Sequence, residues 1–313
     1  MTRAFLFPGQ GSQKIGMGYG LAAAFASARD VFQEVDDALS QKLSKLMWEG
    51  PEDALILTEN AQPAIMTASL AVVRVLEKEM GLDVARHARL VAGHSLGEYT
   101  ALCAAGAFTL ADTARLLKTR GRAMQSAVPA GEGGMTALIG AEFEQAEEVA
   151  KEAAAGGGVC VVANDNAPGQ IVISGTLDAL ARAADIAKAK GIKRAMPLAV
   201  SAPFHCPLMQ PAADAMEKAL AEVTIRPLAV PVLANVTAAE ARDPETVRCL
   251  LVEQVTGRVR WRESMAALKG LGVETTVEFG GKVLTGMVKR IDPSLEMIAL
   301  EAPADLEAFA KTL

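Results

Sequence analysis

The segment Gly93-His94-Ser95-Leu96-Gly97 restricts this chain more than any other, because it demands a strand, an abrupt turn and a helix in close succession. Apolar Leu90-Val91-Ala92 leads in, and the small, helix-forming run Thr100-Ala101-Leu102-Cys103-Ala104-Ala105 leads out. This is the G-x-S-x-G elbow, whose glycines let the backbone bend tightly enough to hold a serine hydroxyl clear of a sheet edge. Ser95 and Glu98 also fit a helix capping box. The two readings are compatible, since a helix start favours an oxyanion as well as a cap. The elbow by itself therefore leaves the role of Ser95 open.

The surrounding pattern supplies a scaffold for such an elbow. Ala4-Phe5-Leu6-Phe7 reads as a first strand, followed by the turn-rich loop Pro8-Gly9-Gln10-Gly11-Ser12-Gln13. That loop resembles a phosphate cradle, yet it lacks the third glycine of a dinucleotide fingerprint and the Gly-Lys-Ser/Thr of a Walker loop. Helical periodicity runs through Ala61-Gln62-Pro63 and Ile65 to Met80, and again from Leu110 to Ser126, which alternates with strands as in an α/β core. Val128 to Gly134 is a hinge-like stretch. After it the pattern predicts strands at Met135–Ile139, Val159–Ala163, Ile171–Ser174 and Lys193–Met196, with helices at Glu142–Ala155 and Leu177–Lys190. That order, β-α-β-β-α-β, is ferredoxin-like. Core-type elements then resume: a helix after Pro207, a strand at Val230–Leu233, helices near Glu245–Gln254 and Arg262–Leu268, a strand at Thr275–Phe279, a helix at Leu284–Arg290 and a strand at Glu296–Leu300.

With 313 residues, 51% of them apolar, the chain can bury a large core. It has no long uninterrupted apolar run, and Met1-Thr2-Arg3 leads directly into a strand without a signal-peptide pattern, so a soluble cytoplasmic protein is expected. The net charge of −6 argues against a general nucleic-acid binder. Lys193-Arg194, Arg258/Arg260/Arg262 and Lys282/Lys289/Arg290 are small basic clusters that read as solvated faces, able to steer an acidic partner only if they converge. Cys103, Cys160, Cys206 and Cys249 are scattered, with no C-x-x-C pair, and read as reduced core thiols without a metal.

A reactive serine needs a base, and the chain has three histidines. His87 sits between Arg86 and Arg89 and reads as surface. His94 precedes the serine and is expected to point away from its hydroxyl. His205 remains, in the proline-bracketed loop Ser201-Ala202-Pro203-Phe204-His205-Cys206-Pro207, where a structural histidine is the competing reading. Cys206 beside it is expected to face elsewhere.

Phe7-Pro8-Gly9-Gln10-Gly11-Ser12-Gln13, Gly93-His94-Ser95-Leu96-Gly97-Glu98, Lys118-Thr119-Arg120-Gly121, Asn164-Asp165-Asn166-Ala167-Pro168-Gly169-Gln170, Ala202-Pro203-Phe204-His205 and Gln254 before Val259-Arg260-Trp261 occur in one order. Together they resemble the malonyl-CoA:acyl-carrier-protein transacylases, and the related acyltransferase domains of polyketide synthases, across nearly the whole chain. The resemblance implies a ping-pong transfer of malonyl from malonyl-CoA, through Ser95, to the phosphopantetheine thiol of acyl carrier protein in fatty acid synthesis. It implies His205 as base and acid, oriented by a backbone carbonyl near Gln254, and the N–H groups of Gln10 and Leu96 as the oxyanion hole. Arg120 would hold the malonyl carboxylate, which suits a planar, two-pronged guanidinium. Taken alone, Arg120 reads as a solvated helix residue. Phe204, Gln254 and Asn164 complete the implied substrate site.

The expected fold is α/β, with an α/β-hydrolase-like core of parallel strands (residues 1–129 and 198–313) and an inserted ferredoxin-like subdomain (130–197). The expected partners are malonyl-CoA and acyl carrier protein, with no cofactor, metal, nucleic acid or membrane, and a monomeric state. A serine esterase or thioesterase, a polyketide-type acyltransferase and a non-catalytic carrier-binding module are the alternatives. The hydrolase order usually ends on a late histidine, whereas a long stretch follows His205 here. The family more often has Gly-Pro-Gly where this chain has Gly280-Gly281, which leaves that loop's geometry open.

Overall fold

Every residue of the strands Arg3–Phe7 (β1) and Leu90–Gly93 (β2) is buried, as expected of parallel strands covered on both faces. The computed structural model describes residues 2–200 and 202–313. Met1 and Ser201, which open the N-terminal run and the proline-bracketed loop noted above, lie outside the described residues. Along β1 the side chains alternate between two cores. Phe5 and Phe7 join a large cluster containing Phe32, Leu76, Tyr99 and Phe279. Ala4 and Leu6 join a smaller one around Leu90, Trp261 and Leu268.

The second sheet uses Gly133–Ile139 (β3), Cys160–Ala167 (β4), Gln170–Thr176 (β5) and Arg194–Pro197 (β6). The remaining strands are Val232–Leu233 (β7), Glu240–Ala241 (β8), Thr275–Phe279 (β9) and Glu296–Leu300 (β10). The main sheet has the order β10-β9-β1-β2-β7-β8. It is parallel except for the β7–β8 pair. With β1 and β2 adjacent and Phe7 in register with Gly93, the loops leaving both strands emerge side by side. Such a shared carboxyl edge is where open α/β sheets place their ligands.

The smaller sheet runs β4-β5-β3-β6, all antiparallel. Helices Phe143–Ala155 and Leu177–Ala189 cover it, and their alanines interlock with Leu138, Ile171 and Ile173 in a separate core. This is the ferredoxin-like pattern read from the sequence. One difference matters for the site. β4 continues to Ala167 instead of stopping at Ala163, with register shifts at Val162/Asn164 and Asp165/Ala167. Polar Asn164-Asp165-Asn166 is held in a strand because the backbone around Asn164 bridges to the main layer and the side chains of Asp165 and Asn166 find partners there. Asn164 bridges to Val259. Asp165, fully buried, accepts from Arg262 Nε at 2.9 Å. Asn166 Oδ1 lies 2.7 Å from His94 Nε2.

The expected strand at Val230–Leu233 pairs only over Val232–Leu233. The pairing strand β8 and the C-terminal helix Pro303–Ala310 have no counterpart among the elements the sequence pattern predicts. Among the described residues no helix is long and apolar enough to cross a membrane.

Candidate active site

The elbow follows β2 directly and feeds the helix Leu96–Ala104, with Ser95 at φ 52° and ψ −111°. A Cβ on Gly93 would lie 1.9 Å from the carbonyl of Gly97, and one on Gly97 would lie 2.2 Å from the carbonyl oxygen of Phe7. Both positions therefore exclude any side chain. The capping box does not form. A capping serine keeps extended backbone geometry, and the left-handed turn that raises Ser95 Oγ takes it off that position. The Ser95 N–H donates instead to Asn235 Oδ1 at 2.8 Å. Glu98 turns inward and accepts from Gln254 Nε2 at 2.7 Å and from the Asn235 N–H at 3.2 Å.

His205 meets Ser95, with Nε2 2.8 Å from Oγ. Its Nδ1 lies 2.9 Å from the carbonyl oxygen of Gln254. A carbonyl can only accept, so the proton is assigned to Nδ1, which leaves Nε2 as the acceptor facing the hydroxyl. Burial, followed by the nearby Arg120 charge, pushes His205 down to about 3, so the imidazole is neutral near neutral pH. The loop carrying it is braced where Pro203 packs on Gly133, since a Cβ on Gly133 would sit 2.6 Å from the Pro203 ring.

Arg120 lies on the helix Leu110–Ser126 and is 1% exposed, which overturns its reading as a solvated helix residue. Burial follows from Gly121, where a Cβ would approach Glu59 Cα at 2.5 Å, so this helix can press against the helix Thr58–Glu79. The guanidinium donates to Gln62 Oε1 at 2.8 Å, Gln254 Oε1 at 2.8 Å and Ser95 Oγ at 3.1 Å. Its Nε is buried without a hydrogen-bond partner among the described residues. A buried, only partly satisfied guanidinium beside a nucleophile candidate is suited to receive an anionic group.

These side chains open into a cavity of about 440 Å³, lined by Gln10, Leu96, Asn164, Phe204, His205 and Arg120 among others. Its volume is in the range that holds small organic ligands. Leu96 occupies the first position of its helix, where the backbone N–H has no intrahelical acceptor. Gln10 sits between two glycines in the loop after β1, with its side chain tied to Thr58 Oγ1 at 2.9 Å. The ferredoxin-like layer forms one wall through Met135, Asn164, Asn166 and Val172. Among the described residues no group of three or more His, Cys, Asp or Glu could hold a metal ion.

The family model described as the acyl transferase domain matches residues 4–281. The chain belongs to the acyl transferase family. It is 44% identical over 311 residues to the malonyl CoA-acyl carrier protein transacylase of Bacillus subtilis, covering 99% of this chain and 96% of that protein. The crystal structure of acyl-carrier-protein-S-malonyltransferase from Bartonella henselae superposes with a TM-score of 0.97 at 53% identity, covering 100% of this chain and 99% of that one. A malonyl-transacylase solved in complex with its type II polyketide acyl-carrier protein gives 0.95 at 40% identity, with both chains fully covered.

Several residues of this acyltransferase site escaped sequence reasoning. Asn235 closes the elbow by accepting from the Ser95 N–H and donating to the Gly93 carbonyl at 2.7 Å. In the sequence Gln62 is only part of a helical pattern, yet it orients Arg120. Neither has a local signal, because each acts across more than fifty positions of sequence. His94 turns to Asn166 and packs edge-on against Trp261, in line with the expectation that it points away from the serine.

The basic triplet Arg258, Arg260 and Arg262 does not form a free patch in the acyltransferase, since these arginines pair with Glu147, Glu263 and Asp165. Cys160 and Cys206 are buried and Cys103 half-buried, whereas Cys249 is exposed, so the expectation of four core thiols fails there. Cys206 Sγ faces the Pro203 carbonyl at 3.0 Å. The Gly280-Gly281 loop is held without a proline: the Glu278 carboxylate accepts from the N–H groups of Val283, Leu284 and Thr285, at 2.9, 3.1 and 2.7 Å.

Proposed function

We propose that this acyltransferase transfers malonyl from malonyl-CoA to Ser95, and from Ser95 to the phosphopantetheine thiol of an acyl carrier protein, supplying malonyl carrier protein for fatty acid synthesis. The observation that carries the reading is the convergence of Ser95 Oγ with His205 Nε2 at 2.8 Å and Arg120 Nη2 at 3.1 Å.

In the first half-reaction His205 Nε2 takes the Ser95 proton as Oγ attacks the thioester carbonyl. The N–H groups of Leu96 and Gln10 receive the oxyanion, a role in which one donor is worth on the order of 3 kcal/mol. The imidazolium then protonates the departing coenzyme A thiolate. In the second half-reaction His205 takes the carrier thiol proton, the thiolate attacks the malonyl-serine, and the proton returns to Ser95 Oγ. One acyl bond replaces another, so the cycle balances without a further reactant. Arg120 holds the free carboxylate by paired charge-assisted bonds. Phe204 and Asn164 shape the wall beside it, and the layer over the cleft limits water at the acyl-serine. The same reading divides the chain into a catalytic core at 1–129 and 198–313 and a subdomain at 130–197, acting in the cytoplasm as a monomer.

Intact-protein mass spectrometry after brief mixing with malonyl-CoA tests this. A malonyl adduct mapped to Ser95 and discharged by added carrier protein is expected. Release of free malonate without an adduct would indicate a hydrolase and overturn it.

A further inference from the structure

Arg120 and Glu98 are both buried at 1% exposure, yet no direct ion pair joins them. The amide of Gln254 stands between. Its Oε1 accepts from Arg120 Nη2 at 2.8 Å, and its Nε2 donates to Glu98 Oε2 at 2.7 Å and to the Ser95 carbonyl at 3.0 Å. Gln254 also lends its backbone carbonyl to His205 Nδ1. One residue thus touches the guanidinium, the elbow and the imidazole.

An amide has a donor end and an acceptor end, and only one orientation works here. Turned over, Gln254 would set its NH2 against the guanidinium and its oxygen against the Glu98 carboxylate and the Ser95 carbonyl, losing all three bonds at once. We propose that Glu98 is a positioning residue for acyl selectivity: its Oε2 fixes the orientation of the Gln254 amide and so aims Arg120 at the substrate carboxylate. The inference rests on the malonyl-binding role proposed above for Arg120. Keeping the negative charge one amide away also matters, because a carboxylate in direct contact would occupy the donors that the substrate needs. Burial pushes Glu98 up to about 7. Two donors converge on Oε2, so this oxygen accepts whether or not the other one carries a proton.

Two substitutions separate reach from charge. Glu98→Gln keeps an acceptor at the same distance and removes the charge, while Glu98→Asp keeps the charge and withdraws the acceptor by one methylene. Glu98→Met, which removes the acceptor at unchanged length, carries the same expectation as Asp and serves if the Asp variant does not fold. The readout is the ratio of Ser95 acylation rates with malonyl-CoA and acetyl-CoA, with thermal midpoints recorded alongside. Glu98→Gln should keep the ratio, and Glu98→Asp should lower it by about tenfold or more, the scale of one lost hydrogen bond to a charged group. Equal falls with both thioesters in the Asp and Met variants, or a ratio lost in Glu98→Gln, would overturn the proposal. Arg120→Ala, run in parallel, tests the underlying reading separately: an unchanged ratio there removes the carboxylate role of Arg120 itself.

Discussion

Ser95 and His205, whose side chains meet at 2.8 Å, both hold the left-handed backbone that non-glycine residues avoid, with φ of 52° and 55°. Such strain persists only where the surroundings over-determine it. For Ser95 the surroundings are Asn235 on its N–H and the facing pair Gly93 and Gly97. Replacing Ser95 should therefore separate chemistry from strain. Ser95→Ala and Ser95→Gly should both lack the acyl-enzyme by mass spectrometry, yet the glycine variant should be the more stable in denaturant by about 1 kcal/mol. An adduct on either variant would remove Ser95 as the nucleophile.

Arg120→Ala should shift the preference of the site from malonyl toward uncharged acyl groups. Two charge-assisted bonds to a carboxylate correspond to a loss on the order of a hundredfold in the malonyl-to-acetyl rate ratio. Stopped mixing with each thioester measures that ratio, and a variant that only melts earlier at unchanged selectivity would make Arg120 structural.

The elbow glycines give a stability prediction with an internal control. Gly97→Ala places a methyl 2.2 Å from the Phe7 carbonyl oxygen and 2.8 Å from that of Pro8, so strand and helix must part. A loss above about 3 kcal/mol is expected. Gly286, on the helix Val283–Ile291, has open space where a Cβ would stand, and Gly286→Ala should be neutral or mildly stabilising. Urea midpoints of the two variants decide the matter.

Acid should act on this protein through His205. Burial holds its folded pKa near 3, below the ordinary value of 6.5, so between those values the unfolded chain binds the extra proton. The corresponding stability is present above 6.5 and is lost as pH falls toward 3. Glu98 works in the opposite sense, since its folded pKa is raised from 4.5 to about 7 and stability is lost as pH rises through that window. Proton NMR of the His205 ring should show no titration between pH 8 and 5, and a midpoint near 6.5 would contradict the buried neutral imidazole.

The parts of this acyltransferase that were legible in its sequence are those with a local cause. Alternating strands and helices, the βαββαβ order and the elbow each depend on residues a few positions apart, and each appears where expected. Where reading failed, a distant contact had overruled the local rule. Asn164 to Asn166 look like a polar loop, yet Val259, Arg262 and His94 hold them in a strand. Glu98 looks like half of a capping box, but Gln254 and Asn235 draw its carboxylate inward.

By itself the sequence determined the order of most elements, the elbow that raises Ser95, the only histidine placed in a proline-bracketed loop, and the ordered motifs that mark the family. Chain chemistry over short distances suffices for these, because backbone sterics and hydrophobic periodicity act locally. Only the tertiary structure decided that Arg120 is buried at Ser95 instead of lying in solvent, that the Gln254 carbonyl orients His205, and that Asn235 and Glu98 brace the elbow. Each of these joins positions separated by 25 to 156 residues. The parallel sheet sets their meeting place, since adjacent β1 and β2 deliver their carboxyl ends to one edge and helix packing at Gly121 brings the guanidinium there.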